Sequence, residues 1–275
     1  MKPASFDYVR AESLQEALAC LNELAPQVRV LAGGQSQIAM MNFRLLEQAT
    51  LIDIGGINEL KFIRIADGAV EVGAGTTQAE LLEWQGLAEK LPLLHAALPY
   101  VGHYQTRNRG TVCGSIVHAD PSSELPLCLA ILKGEVVLQS ARGRRVLAAQ
   151  QFQHGVLSVE KEPNEMVTHV RFPLRQPGTG YAFDEMSRRR GDFAIVSVAA
   201  CASAASIRIG VGGVADRPSV REWSLMRGAE LEDALNAFAW ELGGGDDIHA
   251  SASYRRELVR RIGRRAIETA EKCRS

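Results

Sequence analysis

The chain lacks the marks of a membrane or nucleic-acid protein. Lysine and arginine total 31 against 32 aspartates and glutamates, a formal net charge of −1 at pH 7. No overall field therefore favours nucleic acid or an anionic membrane. No uncharged apolar run approaches the roughly 18 residues of a membrane span. The opening MKPASFDYVRAES has no hydrophobic stretch of signal-peptide type, so the expected location is the cytoplasm. The five cysteines (Cys20, Cys113, Cys128, Cys201, Cys273) are odd in number, widely spaced and without a CxxC pair, which suits free thiols in a reducing compartment. The six histidines form no HxxxH pair, which argues against zinc or a protein-held iron-sulfur site. His118 and Asp120, two apart, are read as loop residues rather than metal ligands. GxxxxGK, GxSxG and HExxH are all absent, which removes the P-loop and the commonest hydrolase chemistries.

What is present is a chain of 275 residues with 46% hydrophobic content, enough for a real core. Ser13 and Glu16 spell a capping box, and Leu14, Leu18 and Leu21 predict a helix over 14–24. Val28 to Leu45 reads as strand, glycine turn at Gly33-Gly34, then helix. LIDI (51–54) predicts a strand followed by the turn GGIN, and KFIRI with AVEVGA predicts a hairpin around Asp67-Gly68. Thr77 and Glu80 spell a second capping box. The alternation argues α/β or α+β. From Gly102 to Pro126 periodicity fades, which predicts an ordered loop wrapping a ligand. GEVVLQS, VLAAQQF and MVTHVRFPL resume strand character, with ARGRR and KEPNE as turns. RQPGTG (175–180) predicts a domain boundary. Beyond it FAIVSVAACASAA fits a buried strand or a small-residue helix, IRIGVGGVA fits a strand, and helices are expected at 221–242 and 252–272.

Three stretches invite functional readings. GVGGVA (210–215) matches a dinucleotide fingerprint, but Asp216, Arg217 and Pro218 follow where a helix should run, so it is set aside. Arg255, Arg256, Arg260, Arg261, Arg264 and Arg265 on the last helix are read as a solvated face beside an apolar stripe of Tyr254, Leu258, Ile262 and Ala266. The glycine-rich segments at 32–36 and 109–115 are left. Both offer small residues and backbone N–H groups, as two walls of a pyrophosphate site would.

LAGGQS followed by MMNFRL, and RNRGTVCGSIVHADPSSELP, resemble the two signature segments of the FAD-binding medium subunit of molybdenum hydroxylases. This is the family of carbon monoxide, xanthine, nicotine, nicotinate, quinoline and caffeine dehydrogenases. SRRRGDFAIVSVA, GVGGVA and YRRELVRRIGRRAI extend the similarity over nearly the whole chain. The resemblance implies an α+β fold of the p-cresol methylhydroxylase and vanillyl-alcohol oxidase type. An FAD-binding domain would span 1–175, in two α/β subdomains of about 1–57 and 58–175, and a C-terminal α+β domain with an antiparallel sheet would span 176–275.

It also implies a cofactor site. The first segment, Leu31, Ala32, Gly33, Gly34, Gln35 and Ser36, would wrap the FAD diphosphate. Gly110, Thr111, Val112, Cys113, Gly114 and Ser115 would close it from the other side. Asp120 and Glu124 would lie near the ribityl and phosphate portion, and Val101, Glu165, Met166, Glu185 and Phe193 would supply further contacts. Cys113 stands where the family usually has glycine, so its backbone is expected at negative φ with its side chain turned away from the phosphates. No catalytic acid, base or nucleophile and no metal ligand on this chain is implied. The implied function is electron transfer, with molybdopterin on a large partner subunit, 2Fe-2S clusters on a small one, and a dimer of heterotrimers as the assembly. NAD, oxygen or a quinone would be the acceptor. A self-contained flavin oxidase or dehydrogenase and a flavin-free scaffold or maturation protein stand as alternatives.

Overall fold

In the computed structural model, which describes residues 2–274, the chain begins with a small parallel sheet. Strands β1 (Asp7–Arg10), β2 (Val28–Leu31) and β3 (Thr50–Asp53) pair in the order β1-β3-β2, with α1 (Leu14–Leu24) and α2 (Gln35–Asn42) as crossovers. Ala17, Leu18 and Leu21 are the buried face of α1. Only half of the first predicted capping box forms: Ser13 Oγ accepts from Glu16 N at 3.1 Å, but Glu16 reaches back to Glu12 N instead of Ser13 N.

A five-stranded antiparallel sheet follows, in the order β4-β5-β10-β6-β7. Strands β4 (Ile63–Ala66) and β5 (Ala69–Gly73) are the predicted hairpin. Asp67 (φ 48°) and Gly68 (φ 76°) both take the left-handed conformation that a two-residue hairpin turn needs. Helices α3 (Gln78–Glu83), α4 (Leu87–Lys90), α5 (Pro92–Ala97), α6 (Tyr104–Arg107), α7 (Val112–His118) and α8 (Glu124–Ile131) then cross over to β6 (Glu135–Ser140) and β7 (Gly143–Ala148). Helix α9 (Ala149–Phe152) and the short pair β8 (Gln153–Gly155) and β9 (Ser158–Val159) lead into β10 (Met166–Pro173).

The long ligand-wrapping loop expected from Gly102 to Pro126 is therefore helical over much of its length. Thr111 caps α7 and Val112, Cys113 and Ile116 anchor it in the core. Every residue of α8 is buried, so it carries no polar face and no amphipathic period to read. The predicted ARGRR turn is also narrower, because Gly143 to Arg145 already pair in β7.

The last part is a meander of β11 (Gly180–Met186), β12 (Val196–Ala202), β13 (Ser206–Gly212) and β14 (Ser219–Ser224), covered by α10 (Gly228–Glu241) and α11 (Ala252–Lys272). Val196, Val198, Ala200 and Ala202 of β12 join the core beneath these helices, while Ala199 and Cys201 join the first core. Burial on both faces explains why this stretch read equally as strand or helix. The helix expected at 221–242 starts later, because Ser219–Ser224 pair with β13 as the sheet's last strand. Gly210 lets β13 approach α8: a Cβ there would lie 2.8 Å from Leu127 Cδ1.

Arg255 departs from the expected solvated face. It is buried and donates to the carbonyls of Ile195 and Gly213, both at 2.8 Å, and to Asp247 at 2.6 Å. Tyr254, placed in the apolar stripe, is largely exposed, whereas Leu258, Ile262 and Ala266 are buried.

Candidate functional site

The residues of the two glycine segments meet at a cleft of about 430 Å³ between the parallel sheet and the second sheet's helices. Leu31, Ala32, Gly33 and Gly34 line one side, and Asn108, Arg109 and Thr111 line the other. On the first side, β2 ends and α2 begins within four residues. Gly34 is the N-cap at φ 69°, a conformation glycine takes without strain. The first N–H groups of α2, at Gln35 and Ser36, have no partner within the helix, and the helix dipole adds positive potential there. Gly33 is pressed against the opposite side: a Cβ at that position would fall 2.1 Å from the Arg109 carbonyl oxygen and 2.7 Å from Gly110 Cα. The absence of a side chain at Gly33 therefore sets how closely the two sides approach.

The second side is built differently. Most of its amides are already bonded: Gly110 N–H donates to Thr106 O at 2.7 Å, Val112 N–H to Thr76 O at 3.1 Å, and Ser115 N–H to Thr111 O at 3.2 Å. Gly114 N–H donates to Thr111 Oγ1 at 3.0 Å, which is the side-chain cap of α7. The first segment thus presents amides with no partner inside their helix, whereas four of the six amides from Gly110 to Ser115 are already engaged within the protein. Cys113 lies in the first turn of α7, outside the residues with positive φ. The residue is 2% exposed, its thiol faces the Val72 carbonyl at 3.4 Å, away from the cleft, and burial pushes its pKa up.

Of the remaining candidates, Val101 is buried and its carbonyl accepts from Arg107 Nη1 at 2.9 Å, a bond that holds the turn before α6. Asp120 caps its own turn by accepting from Ser122 N–H at 2.8 Å. Met166 is buried at the start of β10. Glu165 is engaged elsewhere: Arg145 Nε and Nη2 both donate to it at 2.8 Å. Burial alone would raise its pKa, but the bonds from Arg145 and Glu162 N–H outweigh burial and lower it.

Glu124 of α8 and Glu185 of β11, 61 positions apart in sequence, are brought within electrostatic reach of each other at the seam where α5 and α8 pack on the C-terminal sheet. Glu185 is 9% exposed, and both its carboxylate oxygens lack a hydrogen-bond partner, as does Ser197 Oγ on the neighbouring strand. Burial, reinforced by Glu124 and Asp184, pushes Glu185 up to about 8. Burial also pushes Glu124 up to about 7, against one backbone hydrogen bond and with help from Asp120. Orphaned buried oxygens of this kind call for a proton or a donor group from a ligand.

The cleft is also lined by residues that were not among the expected cofactor contacts: Arg10, Asp53, Lys61, Gly75 and Glu80, with Gly55 and Gly56. Two signals were available. The GGIN turn brings Gly55 and Gly56 to the cleft, and the Thr77–Glu80 capping box, complete here, faces it as well as starting α3.

Compared with known proteins, residues 4–175 match the family described as the FAD binding domain in molybdopterin dehydrogenase. The chain belongs to that family. Residues 181–270 match the CO dehydrogenase flavoprotein C-terminal domain. A 6-hydroxypseudooxynicotine dehydrogenase complex subunit alpha from Paenarthrobacter nicotinovorans is 35% identical over 98% of this chain and 96% of its own length. A glyceraldehyde dehydrogenase medium chain from Sulfolobus acidocaldarius is 34% identical over 98% and 99%. A chain of the Cu,Mo-CO dehydrogenase crystal structure in its cyanide-inactivated form superposes with a TM-score of 0.94 at 31% identity, covering 99% of each chain. The protein is thus an FAD-binding medium subunit of the molybdenum hydroxylase type, with oxidoreductase subunits as its relatives. Its α+β architecture with antiparallel sheets is the one the resemblance implied. Among the described residues no helix is long and apolar enough to cross a membrane.

Proposed function

We propose that this chain holds FAD in the cleft between its two glycine segments and serves as the electron-transfer subunit of a cytoplasmic molybdenum hydroxylase. The observation that carries the reading is the first wall, where Gly33 presses on Arg109 and Gly34 opens α2 toward the cleft. The residues fit the cofactor's diphosphate: a helix start with unbonded N–H groups, side-chain-free glycines, and the cations Arg10, Lys61 and Arg109 around the same space. Gly33, Gly34, Gln35 and Ser36 bind the diphosphate. Thr111 and the backbone of Gly110 to Ser115 hold the opposing wall at a fixed distance. Asp120, Glu124 and Glu185 offer oxygens to hydroxyl or imide donors at the seam, while Val101, Glu165, Met166 and Phe193 shape more distant parts of the site. The domain division is 1–175 and 176–275.

When bound, FAD supplies the redox chemistry, taking electrons singly from 2Fe-2S clusters of a small partner subunit and passing them to NAD, oxygen or a quinone. Substrate oxidation belongs to a large molybdopterin subunit, and a dimer of heterotrimers is the expected assembly. This chain contributes binding and orientation. Purification together with the products of neighbouring genes tests the reading. It predicts FAD in the acid extract and molybdenum and iron in the copurified complex. A colourless chain that associates with neither partner contradicts it.

A further inference from the structure

The loop between β11 and β12 contains Arg188, Arg189 and Arg190, all exposed and none in an ion pair among the described residues. The acids nearest in sequence do little to offset them, since Asp184 is paired with Arg265 and only Asp192 lies within the loop. Met186, at the end of β11, is 37% exposed, and Tyr104, next to the His103 on which this loop packs, is 67% exposed. The loop is anchored. Gly191, at φ 88°, packs so closely on the turn before α6 that a Cβ there would lie 2.5 Å from His103 Cε1 and 2.9 Å from the Gly102 carbonyl oxygen. Arg107 in turn ties α6 to that turn through the carbonyls of Val101 and Gly102, at 2.9 and 3.1 Å. Asn108 and Arg109, directly after α6, line the cofactor cleft. One rigid linkage therefore runs from the basic loop to the wall of the cleft.

Arginine, methionine and tyrosine are among the residue types enriched in protein interfaces, and unpaired charge of one sign speeds encounter with an oppositely charged partner. We propose that this surface is the transient docking site of an acidic one-electron carrier protein that exchanges electrons with the cofactor held behind it. The redox part rests on the function proposed above; the docking part does not. With the cofactor bound, each encounter would carry one electron from the reduced cofactor to the carrier's oxidised metal centre, so that the cofactor is oxidised and the carrier reduced, and no covalent bond forms or breaks.

Binding of an acidic plant-type 2Fe-2S ferredoxin to the flavin-loaded protein, alone and in its purified complex, is the test. The affinity should fall steeply with added salt. R188E/R189E/R190E should weaken it about tenfold or more at low ionic strength, and R188Q/R189Q/R190Q by less, with flavin content and thermal midpoint unchanged. Tyr104→Ala should weaken binding without altering its salt dependence. Binding to basic cytochrome c should rise in the glutamate variant. Unchanged ferredoxin affinity in both arginine variants overturns the proposal. So does a site open in the isolated chain but closed in the complex, which would make this face a permanent subunit contact. Flavin content, read separately, reports on the cofactor assignment whatever the docking result.

Discussion

The segments Ala32–Ser36 and Gly110–Ser115 face each other across one cleft, and their glycines answer to different constraints. At Gly33 and Gly34 the backbone itself is the functional surface: one glycine touches the opposing chain and the other takes a left-handed turn into α2. At Gly110 and Gly114 the amides are spent on Thr106 and on the Thr111 hydroxyl, so this side acts as a strut. Cys113 shows the consequence. A strut that begins a helix has room for a side chain directed into the core, and the thiol lies there against Val72. A rigid wall and a binding wall can share a glycine-rich appearance because close packing and ligand contact both exclude side chains.

This contrast can be broken by substitution. Gly33→Ala carries the largest expected effect. Its methyl group meets backbone at Arg109, and backbone cannot rotate away, so a loss of about 3 kcal/mol and about 100-fold in FAD affinity is expected by calorimetry and flavin titration. Gly34→Ala comes next, at about 1–2 kcal/mol, because alanine must hold φ near 69°. Thr111→Ala should cost about 1 kcal/mol through loss of the α7 cap, and Thr111→Ser should restore most of it. Cys113→Gly should lower the thermal midpoint by removing a buried side chain yet leave FAD affinity within about threefold. A tenfold gain in affinity for that variant would show that the second wall does more than brace the first.

The seam gives the gentlest contrast, read as a slope against pH. Glu185 titrates at about 8 in the folded chain against a reference of 4.5. The folded state therefore holds a proton that the unfolded state has lost, and stability falls as pH rises through that window. Glu185→Gln cannot lose this proton, so its denaturant midpoint should decline less between pH 5 and pH 8. Equal slopes in the two proteins would remove Glu185 from the account.

Much of this was legible in the amino-acid order. The strand-glycine-helix unit, the Asp67-Gly68 hairpin and the last helix follow from local pattern and turn chemistry, and the resemblance supplied the family. The rest depended on contacts between distant parts of the chain. Helix α8 is buried all round, by the C-terminal sheet together with α5, α7 and α9, which erased the periodicity that would reveal a helix. Arg255 reads as one more solvated arginine until the carbonyls of Ile195 and Gly213 are brought to it. The nearness of Glu124 to Glu185, and the contact of Gly33 with Arg109, are products of tertiary packing that no local spacing announces.

A crystal structure of the FAD-loaded protein tests the central claim most directly. Diphosphate oxygens are expected within about 2.7–3.2 Å of the N–H groups from Gly33 to Ser36, with the Cys113 side chain still in the core. A diphosphate bound away from the start of α2, or held chiefly by the Gly110–Ser115 amides, would contradict it.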